Sequence, residues 1–130
     1  MLKQEPVILT PKWRSLIGRA VRDRFLDLGG QVIAVCMSAT HNHSLVKMPP
    51  QFPRPWMGLA KKHAWFVGRD QGWIGEMWAR RSHAVPIRDR EHQLNTFNYI
   101  VRHKNEGAWV WTFRDPLEAT TITRKQRVGK

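Results

Sequence analysis

The stretch QVIAVCMSATHNHSLVKM, residues 31–48, predicts two neighbouring strands of an antiparallel hairpin. Its first part, QVIAVCM, is a continuous apolar run with β-branched residues, which indicates a strand buried on both faces. A turn over residues 38–40 follows, and HNHSLVKM then alternates in the two-residue period of a second strand. Because successive side chains of a strand point to opposite faces, we expect His41, His43 and Leu45 on the same face.

A helix is predicted before this hairpin, in LTPKWRSLIGRAVRDRFLDLGG. Thr10 is a suitable cap, Pro11 suits the first helical position, and the glycines at 29–30 supply the exit. Apolar residues recur between them at three- and four-residue spacing, which is typical of an amphipathic helix. The opposite face of this helix carries four arginines: Arg14, Arg19, Arg22 and Arg24.

The second half of the chain continues the alternation of helices and strands. The proline-rich PPQFPRP predicts a linker, and a helix follows over residues 56–67. MWARRSHAVPI, residues 77–87, predicts a strand near an edge because it contains a proline. A third helix opens at Asp89 and closes before Gly107, and AWVWTF predicts a last strand. We therefore expect one α+β domain over residues 1–116 and a basic, flexible tail over 117–130.

Charge and composition indicate the class of partner. Lys and Arg number 22 against 10 Asp and Glu, which gives a net charge of +12. A domain this basic usually binds a polyanion, with nucleic acid ahead of an anionic membrane surface. Seven tryptophans suggest an exposed aromatic platform for unpaired bases. A single cysteine, Cys36, excludes an internal disulfide and, with no signal peptide or membrane span in the sequence, predicts a cytoplasmic protein.

The histidine pair of the hairpin has a counterpart in the third predicted helix. Tyr99, the only tyrosine, precedes His103 by four residues, so both side chains lie on one helix face. Two histidines are not a metal site by themselves, and this helix would supply a third ligand together with a phenol. A phenolate can attack a phosphodiester that a divalent ion polarises. On the residues alone two interpretations stay open: a metal-dependent nucleophilic site, or polar strand residues and a core tyrosine.

Four stretches, in this order, resemble the single-tyrosine HUH transposases, and among them the REP-associated tyrosine transposases. AVCM leading into His41-Asn42-His43 and SLV resembles the histidine-rich strand of the family. PRPWMGLAKKHAWFV is similar to its proline-bearing link and lysine-rich helix. IGEMWARRSHAVPIRD resembles its Gly-x-x-Trp stretch, and LNTFNYIVRHKNEGAWVW resembles its Tyr-Ile helix. The resemblance covers roughly residues 8–113.

The resemblance implies a ferredoxin-like α+β domain with helices packed on an antiparallel sheet. It also implies a divalent ion, Mg²⁺ or Mn²⁺, held by His41, His43 and His103. Tyr99 would attack a phosphate in single-stranded or hairpin DNA, form a 5′-phosphotyrosine and release a 3′-hydroxyl that later reverses the step. For this function we predict phosphate contacts at six cations: Arg14, Arg54, Lys61, Lys62, Arg80 and Arg81.

Two features depart from the family pattern. Asn42 stands where the family has a hydrophobic residue, so we expect its side chain to be under-packed. The family opens with a strand before its first helix, whereas only MLKQEPVILT precedes the helix here. We expect a truncated start, a short PVIL strand or a second chain in its place, and the last of these would make a homodimer.

Two alternatives to an active transposase stay open. One is a non-catalytic, domesticated or truncated relative that keeps the basic surface and binds nucleic acid. The other is a small RNA-binding protein of ribosomal type, in which the histidines are coincidental.

Overall fold

The computed structural model describes residues 7–49, 55–78 and 85–117. Along these residues the chain forms helix α1 (Pro11–Asp27), strands β1 (Gln31–Met37) and β2 (Asn42–Lys47), helices α2 (Pro55–Asp70) and α3 (Arg90–Arg102), a 3₁₀ turn (His103–Glu106) and strand β3 (Trp109–Thr112). Three helices and one antiparallel sheet confirm the predicted α+β class. The ferredoxin-like arrangement has four strands, and because the described residues supply three it stays a prediction.

Strand β1 lies at the centre of the sheet, whose order is β2-β1-β3. Both neighbours pair with it in antiparallel fashion. A register shift between Val32 and Ala34 interrupts the alternation of side chains, so Val32 shares a core with Val35 and Met37. The hairpin predicted from residues 31–48 is therefore confirmed, with one irregularity in its first strand.

Helices cover both faces of this sheet. On one face α1 packs against the sheet and α2 packs against α1, around a main core that includes Ile17, Phe25, Val35 and Trp111. On the other face α3 covers a smaller core of Ala34, Cys36, Leu45 and Ile100. Burial of β1 from both sides agrees with its continuous apolar sequence.

Helix α1 begins and ends where the sequence predicts. Thr10 occupies the N-cap position in extended conformation, and Pro11 is the first helical residue. Gly29 has a φ of +88°, a left-handed conformation that favours glycine, and the Gly30 amide donates to the Phe25 carbonyl at 2.9 Å. These bonds end the helix and turn the chain into β1.

Arg22 does not lie on the exposed face of α1, as was predicted, but in the core. Its side chain is 1% exposed, and its guanidinium lies 5.8 Å from the Trp109 ring centroid and 5.2 Å from that of Trp111. Its Nε also donates to Asp23 at 3.0 Å. Indole faces attract a cation and cover it, so the two tryptophans of β3 account for the inward position of Arg22.

The tryptophan side chains lie in or against the main core and are not exposed. All seven lie in the described ranges and none is exposed; Trp111 is in the main core and the other six pack against it. Four of them donate their indole N–H to backbone carbonyls: Trp65, Trp73, Trp78 and Trp111. The predicted tryptophan platform for bases is therefore wrong. In the described ranges, the exposed aromatic rings are those of Phe66, Tyr99 and Phe113.

Several predicted segments fall wholly or partly outside the described residues. These are residues 50–54 of the predicted linker PPQFPRP, residues 118–130 of the tail predicted over 117–130, and residues 79–84 of the strand predicted over 77–87. The described ends of that strand, 77–78 and 85–87, are not in a strand. Residues 7–9 of PVIL also form no strand, although the Leu9 amide donates to the Ala39 carbonyl at 2.7 Å.

Two simpler predictions can be compared directly with the structure. Cys36 is a free and fully buried thiol, as expected from its place in an apolar strand. Within the described ranges, no helix combines the length and the apolar character needed to span a membrane.

Candidate active site

The turn between β1 and β2 holds the backbone of His41. The Ser38 amide donates to the His41 carbonyl at 2.8 Å, and Ser38 Oγ accepts from the amides of Thr40 and His41 at 3.2 and 2.9 Å. Thr40 Oγ1 lies 2.8 Å from His41 Nδ1. His41 is exposed, but these bonds fix the position of its backbone and restrain its ring.

Strand β2 places His43 next to the centre of the sheet and beneath α3. His43 is half-buried and lies opposite Cys36 of β1. Asn42 points away from it: its Nδ2 donates to the Cys36 carbonyl at 3.0 Å, and its Oδ1 accepts from Ser44 Oγ at 3.2 Å. Asn42 was expected to be under-packed, yet it makes two hydrogen bonds, because a polar side chain here can reach the backbone of the neighbouring strand.

Helix α3 delivers the other two residues. Asp89 caps it as predicted, accepting from the His92 amide at 2.8 Å. Ile100 is 1% exposed and anchors the helix on the smaller core. Leu94, in the first half of the same helix, is 56% exposed, so the buried contact is confined to the C-terminal half. That half ends at His103, where the 3₁₀ turn begins.

The two segments meet in a cluster of four rings, which we call the ring cluster: His41, His43, Tyr99 and His103. His43 is central, with its ring centroid 6.2 Å from that of His41, 5.3 Å from Tyr99 and 5.0 Å from His103. The Tyr99 and His103 centroids are 4.8 Å apart, with the rings nearly perpendicular. The four residues singled out in the sequence are therefore neighbours within one chain.

The surroundings lower the pKa of His43 and select the tautomer of His103. Burial lowers the pKa of His43, and the nearby His103 and His41 lower it further, so its neutral form is favoured. His103 Nδ1 lies 2.9 Å from the Tyr99 carbonyl oxygen. A carbonyl can only accept, so in the neutral ring Nδ1 carries the hydrogen and Nε2 keeps its lone pair. A neutral imidazole held in this way is the form that binds metal ions.

The described positions of the imidazoles bear on whether they form a metal site. In residues 7–49, 55–78 and 85–117, no group of three or more His, Cys, Asp and Glu side chains is arranged to hold a metal ion. The donor chemistry of His41, His43 and His103 suits an ion that takes imidazole nitrogen. An ion shared by these three rings therefore requires the imidazoles to turn from their described positions.

The structure describes three of the six cations that were predicted to contact phosphate. The other three, Arg54, Arg80 and Arg81, lie outside the described residues. Lys61 and Lys62 belong to α2, in the helix layer on the opposite face of the sheet. Burial lowers the pKa of Lys61, whose Nζ lies 5.4 Å from the Trp78 ring centroid. Arg14 donates to two backbone carbonyls. Phosphate contacts at these residues stay predictions.

Two cations that were not predicted from the sequence adjoin His103 along the chain. Arg102 is exposed in the last turn of α3, and Lys104 is exposed in the 3₁₀ turn. They stand on either side of His103, so the run RHK was the signal that would have found them. Their charges favour a phosphate backbone close to Tyr99.

Comparisons of the chain with protein-family models, with curated proteins and with solved structures found no match. The geometry and chemistry of the ring cluster therefore carry the functional interpretation.

Proposed function

We propose that this protein cleaves and rejoins single-stranded or hairpin DNA through a 5′-phosphotyrosine on Tyr99, with a divalent ion held by His41, His43 and His103. The observation that carries the proposal is the contact between segments distant in sequence: His43 of β2 lies 5.3 Å from Tyr99 and 5.0 Å from His103, measured between ring centroids. The net charge of +12 supports a polyanionic substrate.

Tyr99 supplies the nucleophile of the proposed reaction. Its side chain is 46% exposed, so a phosphodiester can approach the phenol. The phenol oxygen bonds to phosphorus, the bond from phosphorus to the 3′ oxygen breaks, and the phenol proton ends on the released 3′-hydroxyl. Attack by a 3′-hydroxyl on the phosphotyrosine reverses these changes and joins the strand. No external energy source is needed, because the phosphotyrosine replaces one phosphodiester with another.

The histidines orient the phenol and provide the ligands. His43 and His103 each pack their rings nearly edge-on to the ring of Tyr99, at centroid distances of 5.3 and 4.8 Å. A bound divalent ion would polarise the phosphate and stabilise the charge on the leaving oxygen. Mg²⁺ takes oxygen ligands, whereas imidazole nitrogen suits transition ions. Of the two ions predicted from the sequence, Mn²⁺ therefore suits the three imidazoles better.

A non-catalytic relative that binds nucleic acid is the second candidate. The observation in its favour is that, within the described part of the chain, the imidazoles do not yet form a metal-binding group. Its basic surface would still bind a polyanion, with an affinity that falls steeply with salt. An RNA-binding protein of ribosomal type would behave in the same way, except that it would prefer RNA over DNA of the same sequence.

A covalent-trapping experiment separates these candidates. The protein is incubated with end-labelled single-stranded hairpins, drawn from a library with randomised loops and flanks, in Mn²⁺, Mg²⁺, Zn²⁺ or Co²⁺. We expect an adduct that survives denaturing detergent and acid, which distinguishes phosphotyrosine from phosphohistidine. Because Tyr99 is the only tyrosine, phosphotyrosine in a digest identifies it. The Tyr99→Phe variant should lose the adduct and keep the DNA affinity.

The chain offers a matched control for the histidines. His43→Gln and His103→Gln should lose the adduct with every ion. His92→Gln should keep it, because His92 lies near the start of α3, where its Nδ1 accepts from the Arg88 amide at 3.0 Å. If the protein binds DNA but forms no adduct with any of the hairpins and ions tested, the result would support the non-catalytic relative and contradict the proposal. An adduct that persists in Tyr99→Phe would exclude Tyr99 as the nucleophile.

The proposal also covers the cellular location and the oligomeric state of the protein. We infer a cytoplasmic protein, since the single buried thiol of Cys36 needs no oxidising compartment. A homodimer is proposed because, among the described strands, β2 and β3 are the outer ones and a second chain can pair with an outer strand. Sedimentation of the protein with and without DNA measures whether it is a monomer or a dimer.

A further inference from the structure

We propose that Arg14 is a positioning residue, which fixes the two halves of the ring cluster relative to each other. Its guanidinium donates from Nε to the Leu9 carbonyl at 2.8 Å and from Nη1 to the Gly107 carbonyl at 3.1 Å. One side chain of α1 thus joins two backbone segments that are far apart in the sequence. The geometric part of this inference stands by itself, and its catalytic part rests on the proposed function.

The first bond leads to the strand histidines. Leu9 is 2% exposed and belongs to the main core, so its backbone is anchored. Its amide donates to the Ala39 carbonyl at 2.7 Å, within the turn that joins β1 to β2. In that turn the Ser38 hydroxyl and amide hold the backbone of His41. A shift of Leu9 is therefore transmitted to His41, two residues before His43.

The second bond leads to the helix residues. Gly107 ends the 3₁₀ turn with a φ of +86°, and its amide donates to the Lys104 carbonyl at 3.1 Å. The next amide, that of Ala108, donates to the His103 carbonyl at 3.2 Å. The Gly107 carbonyl and the Ala108 amide belong to one peptide group. This peptide group therefore links Arg14 to His103, the residue that carries the third imidazole.

The chemistry of this link requires arginine. A guanidinium is planar and presents its donors at fixed angles, so it can hold two carbonyls in a set relation. A lysine keeps the charge but has a flexible stem and a point-like ammonium. Arg14→Lys therefore removes the geometric link and keeps the electrostatics. Arg19 is the matched control, because its Nε donates to the Ser15 carbonyl within α1 at 3.2 Å and bridges no distant segment.

The first arm of the test uses NMR on the full chain without metal or DNA. Wild type should give nuclear Overhauser effects between the ring protons of His43 and those of Tyr99 and His103. In Arg14→Lys these cross-peaks should weaken, and the Leu9 amide should exchange with solvent about tenfold faster. Arg19→Lys should leave both unchanged. This readout does not depend on catalysis.

The second arm measures catalysis. In Arg14→Lys the rate of adduct formation should fall about tenfold to a hundredfold, since small misplacements of reacting groups reduce rates on this scale. The affinity for single-stranded DNA and its salt dependence should stay unchanged, because the charge is kept. The phosphate contact that was predicted for Arg14 from the sequence would instead weaken the affinity of Arg14→Ala and leave the ring cross-peaks as in wild type, and that result would overturn the positioning role proposed here.

The two arms separate this inference from the proposed function. Unchanged cross-peaks and exchange in Arg14→Lys overturn the positioning role, whether or not wild type cleaves DNA. If wild type forms no adduct, the proposed function fails and the NMR arm still decides the positioning role. If Arg14→Lys does not fold, the Nε–H exchange of wild type decides it: exchange at Arg14 as fast as at the exposed Arg102 overturns the inference.

Discussion

Replacement of Gly18 by alanine would show how closely α1 packs on β3. A Cβ at Gly18 would overlap Cε3 of Trp109 and lie 2.6 Å from its Cζ3, well inside van der Waals contact. The indole would have to move, and it also covers the guanidinium of Arg22. Overpacking costs about 1–3 kcal/mol, and contacts this short belong to the upper half of that range, about 2–3 kcal/mol. Alanine has the higher helix propensity, by about 1 kcal/mol. We expect Gly18→Ala to lower the free energy of unfolding by about 1–2 kcal/mol.

The same substitution at Gly58 is the matched control. Gly58 lies in α2, and a Cβ there would meet no heavy atom within 4 Å. Only the helix propensity and the entropy of the unfolded chain change, so Gly58→Ala should raise the free energy of unfolding by about 0.5–1 kcal/mol. Two identical substitutions are thus expected to have opposite signs.

Urea denaturation, followed by circular dichroism and by tryptophan fluorescence, measures both changes. For a chain of this size 1 kcal/mol corresponds to a shift of about 3–5 °C in Tm, so thermal unfolding gives a second measure. A Gly18→Ala variant as stable as wild type would refute the described packing of Trp109 on α1. Equal destabilisation by both substitutions would show that the loss does not come from Trp109.

Two further predictions concern reactivity and DNA binding. Burial raises the pKa of the Cys36 thiol to about 11, so a thiol reagent at pH 8 should label the native protein at least about a hundredfold more slowly than the protein in guanidinium; similar rates would contradict the burial. Arg102→Gln and Lys104→Gln should each reduce the slope of log affinity against log salt by about 1, whereas Arg69→Gln, at an exposed position of α2 on the opposite layer, should not; equal effects would mean that DNA does not bind at the ring cluster.

The elements of the fold that follow from local chemistry were predictable from the sequence. The caps and exits of α1 and α3 depend on residues such as Pro11, Gly29 and Asp89, whose preferences act over a few residues. The burial of Arg22 was not predictable, because helical periodicity cannot reveal that two indole rings of β3 pack over that position. The same reason applies to the tryptophans, whose exposure depends on distant packing.

The candidate site divides in the same way. The spacing of His41 and His43 on a strand and of Tyr99 and His103 on a helix gave two co-facial pairs. Their contact depends on α3 packing against β2, which was inferred from the family resemblance. In the structure the ring centroid of His43 lies 5.3 Å from that of Tyr99 and 5.0 Å from that of His103. The two bonds of Arg14 were beyond sequence reasoning, since their acceptors are backbone carbonyls that carry no residue-specific signal.

The confinement of buried contacts to the end of α3 bears on how this protein tolerates insertions. An α-helix turns by about 100° per residue, so one residue inserted between Ile100 and His103 would rotate His103 away from His43. An insertion before Phe97 would shift only the start of the helix, where Leu94 is exposed. Inserted residues, peptide tags and fluorescent labels should therefore be tolerated at the start of α3. In its last turn, an insertion would change the direction in which His103 points.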